Sequence, residues 1–208
     1  RRRHTRFRNV TGVQTCALPI SRLIAWESGQ RPQLLVQVET MRHTGTGNGA
    51  IALFSGQGEL IWQRTLEDRY RFGDTDYSPM WYPTDLMPFR VDGQWRIAAS
   101  WHHHTWWPGV VTSYDRDGRL MEQFVNAGWI HQMNTSADGR YLLAAGVSNA
   151  LGGTVLAVLD TRAIKGASPS EGSVLPVCAN CPSGAPVAYF LVPWRKRPMG
   201  GDTVVTDV

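Results

Sequence analysis

Apolar residues recur along this 208-residue chain in short runs, and Gly, Asp or Asn closes most of them. Several runs alternate apolar with polar side chains, which is typical of strands that have one buried face. Apolar residues do not recur at intervals of three and four over more than two helical turns. The pattern predicts a chain that is almost entirely β-structured.

One order of predicted elements occurs three times, in residues 33–62, 95–124 and 138–160. Each segment begins with an apolar run, passes through a loop that ends in glycine, and continues with a second apolar run. In the first two segments a tight turn and a third run follow. Gly58 and Gly118 provide the positive φ that such turns need, and Asp115 can hydrogen-bond its own turn backbone. We therefore expect repeated antiparallel hairpins.

Two motifs within these segments resemble β-propeller repeats. Residues 52–62, Ala-Leu-Phe-Ser-Gly-Gln-Gly-Glu-Leu-Ile-Trp, resemble the repeat of pyrroloquinoline-quinone-type propellers. Residues 136–143, Ser-Ala-Asp-Gly-Arg-Tyr-Leu-Leu, are similar to a repeat of the WD40-like superfamily. The resemblance covers about residues 34–160 and implies an all-β fold, a partial β-propeller of about three to four antiparallel meander blades.

Residues 10–20 resemble a translated sequencing adapter, so residues 1–21 are interpreted as an artefactual head. This head carries five arginines and no acidic residue. Without it, 16 basic residues remain against 17 acidic ones, and the net charge changes from +4 to −1. The basic balance that would favour nucleic-acid binding then disappears, and we expect no nucleic-acid partner.

Composition divides the remaining chain into three parts. Residues 22–160 hold the predicted blades, and residues 161–186, rich in Ser, Gly, Pro and Ala, are predicted to form a linker or an irregular loop. Residues 187–208 are predicted to hold a terminal strand and a frayed tail. No window approaches the run of about 18 apolar residues that a membrane-spanning helix needs.

Cys178 and Cys181 form a C-x-x-C pair within the predicted linker. A zinc ribbon would need a second such pair, and the motif does not open a helix as a thioredoxin-like site does. A local disulfide and a pair of free thiols are the two alternatives. The disulfide, together with low charge and nine tryptophans, favours a periplasmic or extracellular location.

Residues 101–108, Trp-His-His-His-Thr-Trp-Trp-Pro, are the most prominent chemical cluster. Because side chains alternate between the faces of a strand, His102 and His104 are predicted to share one face. With His131 or His43 they could ligate a divalent metal, although aromatic and histidine side chains also fill buried strands well. Since loops carry much of the function in β-proteins, the residues expected to contact a ligand or partner are Trp101, His102, His103, His104, Trp106 and Trp107.

The insertion at residues 68–88 is long, aromatic and rich in proline. Asp74, Asp76 and Tyr77 are its candidate binding residues. A calcium ion needs six to eight oxygen ligands, and Asp74 and Asp76 supply only two carboxylates. An ordered, packed surface loop is the alternative interpretation.

The sequence carries no catalytic signature of the nucleophile-elbow, zinc-protease or phosphate-loop type. It predicts a non-enzymatic binding or scaffolding module without a cofactor, whose partner is a protein or a small molecule. The alternative is part of a quinoprotein-type oxidoreductase that uses pyrroloquinoline quinone or a divalent metal. Because an incomplete ring of blades has unpaired strand edges, we also expect self-association through the open blade edges.

Overall fold

The computed structural model describes residues 21–38, 48–105, 107–168 and 177–194, and within these ranges it contains strands and no helix. The prediction of an all-β chain is therefore confirmed for the described residues. The strands are β1 (Ser21–Ile24), β2 (Gln33–Val38), β3 (Ala50–Phe54), β4 (Leu60–Arg64), β5 (Tyr70–Phe72), β6 (Thr75–Tyr77), β7 (Trp81–Val91), β8 (Gln94–His103), β9 (Gly109–Asp115), β10 (Leu120–Asn126), β11 (Ile130–Thr135), β12 (Tyr141–Ser148), β13 (Gly153–Asp160), β14 (Gly166–Ser168) and β15 (Ala188–Pro193).

Most of the strands belong to three antiparallel sheets that follow one another along the chain. The first sheet has the order β1-β2-β3-β4, and the third has the order β11-β12-β13-β15. The middle sheet has the order β7-β8-β9-β10, with β14 added parallel to β10. A separate hairpin, β5-β6, lies between the first and middle sheets in sequence.

The tight turns have the chemistry that their residues predict. Gly58 and Gly118 adopt φ values of 87° and 76°. Asp115 Oδ1 accepts hydrogen bonds from the backbone N–H groups of Asp117 and Arg119, and Ser55 Oγ plays the same part in the first sheet. These side chains close the turns between β9 and β10 and between β3 and β4.

The insertion at residues 68–88 is not a loop, because it forms β5, β6 and the first part of β7. Strand β7 contains Pro83 and Pro88, which break the apolar pattern and hide the strand in the sequence. The structure tolerates both prolines because β7 is an edge strand of the middle sheet, where a missing N–H removes no ladder bond on the open side. The register shifts between Pro83 and Asp85.

The segment predicted as a linker is also partly strand. Gly166–Ser168 forms β14 at the edge of the middle sheet, and the chain then returns to add β15 to the third sheet. Between them, the backbone N–H of Ala179 donates to the carbonyl of Arg71 on the β5-β6 hairpin. The described part of this segment therefore connects three separate sheets.

The middle sheet is buried on both faces, so the three sheets form stacked layers. Its neighbouring residues Ala98 and Ala99 belong to opposite cores, and both are fully buried. One core joins the middle sheet to the first sheet and includes Ile24, Leu35, Ile51, Leu53, Trp62, Ile97, Ala99, Trp101, Val110 and Val125. The other joins it to the third sheet and includes Ala98, Val111, Phe124, Ile130, Met133, Leu142, Ala144, Val155 and Ala157.

Asp85 links strands from all three sheets. Its carboxylate accepts hydrogen bonds from the backbone N–H of Met133 on β11, at 2.7 Å, and from the guanidinium of Arg22 on β1, at 3.3 Å. The side chain is 7% exposed. Burial raises the pKa of Asp85 above its ordinary value, against the N–H donors and Arg22, which favour the carboxylate. The hydrogen bonds of the buried Asp85 carboxylate therefore stabilise the junction of the three sheets.

Candidate binding rim

The connections around the middle sheet bring aromatic and histidine side chains to one edge of the stack. At this edge β7 and β11 begin and β8 ends. Backbone bonds close the edge, including those from His104 N–H to the Met80 carbonyl and from His103 N–H to the Pro108 carbonyl, both 3.0 Å. We call this edge the aromatic rim, formed by Tyr77, Trp81, Tyr82, His102, His103, His104, Trp107, Trp129 and His131.

His103 lies at the centre of the first half of the rim. Its ring centroid is 5.1 Å from that of Tyr77 and 5.3 Å from that of Trp81, and both pairs are edge-to-face. The ring of His104 is 4.2 Å away. Edge-to-face geometry is the favoured arrangement for such rings, so the β5-β6 hairpin is held to the middle sheet through Tyr77.

His102 begins the second half of the rim, on the other face of β8. Its ring is 5.6 Å from Tyr82 and 6.0 Å from Trp129, which in turn lies 5.4 Å from His131. His131 is exposed, whereas Tyr82 and Trp129 are half-buried. Ring contacts therefore continue from the middle sheet to the third sheet, and they end at side chains that solvent can reach.

Both ring nitrogens of His103 lie within hydrogen-bonding distance of other groups. Nε2 lies 3.2 Å from the carbonyl oxygen of Ser78, which can only accept, so Nε2 donates its proton there. Nδ1 accepts from the backbone N–H of Thr105. Burial, reinforced by the nearby His104 ring, lowers the pKa of His103 from 6.5 to about 4. Burial also lowers the pKa of His102, so both imidazoles are neutral at pH 7.

The lowered pKa of His103 predicts an acid-sensitive fold. Between pH 6.5 and about 4 the unfolded chain takes up a proton that the folded chain does not. The free energy of unfolding is therefore expected to fall as the pH drops from 6.5 to about 4. The expected loss is about 1–2 kcal/mol after allowance for solvent screening. Urea unfolding at several pH values measures the difference between wild type and His103→Gln.

The His103→Gln variant should lose this part of the pH dependence, while the matched His131→Gln variant should keep it. If the free energy of unfolding depended on pH in the same way for wild type and His103→Gln from pH 7 to pH 4, the lowered pKa of His103 would be contradicted.

Trp101 lies beneath the rim and belongs to the core. It is fully buried, and its Nε1 donates to Thr112 Oγ1 at 2.8 Å. Trp107 is half-buried and packs edge-to-face against Phe72 of the hairpin at 5.8 Å. Trp106 and His43, also named from the sequence, lie outside the described residues.

The predicted metal ligands His102, His104 and His131 do not form one group in the structure. His104 follows β8 and places Nδ1 3.2 Å from Nε2 of His103 instead of beside His102. His131 packs on Trp129. Among the described residues, no three His, Cys, Asp or Glu side chains are arranged to hold a metal ion. Metal binding by this histidine set remains a prediction.

The two acids of the insertion lie on the β5-β6 hairpin. Asp76 binds Arg71 through two hydrogen bonds of 2.7 and 3.0 Å, and this pairing holds the pKa of Asp76 below its ordinary value. Asp74 is exposed at the turn before β6. Of the three predicted binding residues in this segment, only Tyr77 reaches the aromatic rim.

A disulfide joins Cys178 and Cys181, and its loop docks on the same hairpin. Asn180 Oδ1 accepts from Arg71 N–H at 2.7 Å, and its Nδ2 donates to the Arg69 carbonyl at 2.9 Å. Cys178 also forms an isolated bridge with Phe72. The disulfide loop therefore supports the hairpin from the side away from Tyr77.

Tyr82 and Trp129 are rim residues that the sequence analysis did not single out. Trp129 follows Gly128, one of several glycines where backbones approach closely at this edge. A Cβ on Gly109 would lie 2.5 Å from the Gly128 carbonyl oxygen, and one on Gly146 would lie 2.8 Å from Ile130 Cα. An aromatic residue directly after such a glycine, at the start of a strand, is the signal that could have identified Trp129.

Across residues 21–38, 48–105, 107–168 and 177–194, no helix is long and apolar enough to cross a membrane. The chain matches no protein-family model, no curated protein and no solved structure.

Proposed function

We propose that this chain is a β-propeller-type binding module whose aromatic rim contacts a protein partner. The observation that carries the proposal is a pair of ring clusters at one edge of the stack, one on each face of β8. The first runs from Tyr77 to His104 and the second from Tyr82 to His131, and both include half-buried and exposed side chains. Protein interfaces are enriched in aromatic side chains and depleted of charge at their centres. The rim has this composition.

The order of the strands supports the propeller-type architecture. Three four-stranded antiparallel meanders succeed one another, and each sheet has its first strand at one edge. Strand β7 of the middle sheet contacts β2 of the first and β11 of the third. A propeller uses this arrangement of radially repeated four-stranded sheets, with connections gathered on a common surface.

The chemistry of the rim favours binding over catalysis. Neutral His102 and His103 offer hydrogen-bonding nitrogens without charge, and His103 uses both of its nitrogens within the protein. Solvent reaches the half-buried Tyr82 and Trp129 and the exposed His104, Thr105 and His131. Half-buried Tyr and Trp at the centre of a patch are the residue types that dominate binding energy in protein interfaces.

Selection from a displayed library of random peptides tests this function. Peptides enriched on the wild-type chain are expected to bind Trp129→Ala and Tyr82→Ala at least about tenfold more weakly, because each substitution removes a packed aromatic anchor. Titration calorimetry of the selected peptides measures the change.

Tyr141→Ala is the matched control, since Tyr141 is half-buried at the start of β12, on the opposite edge of the stack. Its affinity for the selected peptides should equal that of wild type. Peptides that bind all three variants equally would refute the rim as the contact surface. Tight binding of pyrroloquinoline quinone in place of peptides would favour the oxidoreductase alternative.

A further inference from the structure

The outward face of the first sheet is apolar, and no other described sheet packs on it. Its register places Leu23 beside Leu34, and Leu34 beside Phe54, which pairs with Leu60. Leu23, Leu34 and Leu60 are 73%, 36% and 54% exposed. Among the described strand residues that share this face, none carries a charge.

The outward face of the third sheet has the same character. The alternating burial of β12 and β13 turns Leu143, Val147, Leu156 and Val158 away from the core. Phe190 pairs with Leu156 and is 58% exposed. Among the described strand residues on this face, Asp160 is the only charged one, and it lies at the far end, bonded to Arg162 N–H.

These faces differ from those of an antiparallel sheet that meets water, which normally alternates apolar inward with polar outward. Exposed patches of this kind mark interaction sites. The chain itself shows what covers such a face, because each inner interface is formed by another antiparallel sheet with an apolar surface. The matching partner for each outward face is therefore another sheet of the same kind.

We propose that two copies of this chain close into one ring of six sheets, in which the first sheet of each copy packs on the third sheet of the other. A contact between two different faces forms a closed ring when the rotation between copies closes, and an open filament when it does not. Two copies supply six sheets, which is within the range of four to eight found in propellers, whereas three copies would supply nine. The stoichiometry of two copies rests on the propeller-type architecture proposed above. The evidence for the two apolar faces does not depend on that architecture.

Light scattering after size-exclusion chromatography, over a dilution series, tests this dimer. The wild-type chain is expected at twice its mass of 23.2 kDa. Leu34→Lys on the first sheet and Phe190→Glu on the third should each weaken the dimer at least about 100-fold, because each buries an unpaired charge at both contacts of the ring. Met121→Glu is the matched control, since Met121 is 42% exposed but lies on the middle sheet.

A mixture of Leu34→Lys and Phe190→Glu separates this ring from other modes of association. A mixed ring retains one contact free of substitutions, so the mixture should form dimers more tightly than either variant alone. Near-ultraviolet circular dichroism confirms that each variant is folded. A monomeric wild type, association insensitive to both face variants, or a face-dependent polymer larger than a dimer would overturn the proposal. None of these measurements of mass and folding depends on the aromatic rim, so their outcome is independent of whether the rim binds peptides.

Discussion

Replacing Gly146 with alanine is expected to destabilise the fold by about 3 kcal/mol. A Cβ at this position would overlap the carbonyl oxygen of Trp129 and lie 2.8 Å from Ile130 Cα. Both atoms are backbone atoms at the start of the paired strand β11 or in the residue just before it, so no side-chain rotation relieves the overlap. The Trp129 carbonyl also accepts from Val147 N–H at 2.9 Å, and this bond would be strained as well.

Urea unfolding followed by tryptophan fluorescence measures this loss. Gly58→Ala is the matched control, because a Cβ there meets nothing within 4 Å and only its φ of 87° is unfavourable. The Gly58→Ala substitution should lower the free energy of unfolding by about 1–2 kcal/mol. If Gly146→Ala proved no more destabilising than Gly58→Ala, the close pairing of β11 with β12 would be wrong.

Asp85→Ala is the second substitution with a large expected effect, also about 3 kcal/mol. It leaves the buried N–H of Met133 without its acceptor and removes the carboxylate that joins β1, β7 and β11. The exposed pair between Asp92 and Arg162 gives a matched control, because surface pairs contribute little. Arg162→Ala should therefore change the free energy of unfolding by less than about 0.5 kcal/mol.

Thermal and urea unfolding of both variants measure these differences. Asp85→Asn adds a further comparison, because it keeps the volume of the side chain but retains only one acceptor oxygen. The free energy of unfolding of Asp85→Asn should lie between those of wild type and Asp85→Ala. Equal stability of Asp85→Ala and Arg162→Ala would show that the Asp85 carboxylate does not link the three sheets.

Local sequence patterns were sufficient to predict the strands that alternate or end in a glycine turn. Strands β2, β3, β9 and β13 occur where apolar runs precede or follow a turn glycine. Strand β7 was missed because Pro83 and Pro88 interrupt its pattern, and only its position at a sheet edge makes them acceptable. Edge position is a property of the tertiary structure and is absent from any local window.

The residues of the aromatic rim were predicted in part. The sequence placed His102, His103, His104 and Trp107 together because they are close along the chain. Tyr82 and Trp129 join them through the pairing of β7 with β8 and through the stacking of the third sheet on the middle sheet. These are long-range contacts, and a single sequence without its fold does not indicate them.

Amide hydrogen exchange of the wild-type chain, with and without a selected peptide, tests the central claim most directly. If the aromatic rim is the binding surface, the peptide should slow exchange at the start of β7, the end of β8 and the start of β11, which carry Tyr82, His103 and His131. Protection confined to the outward faces of β2 and β13, with unchanged exchange at the rim, would contradict it.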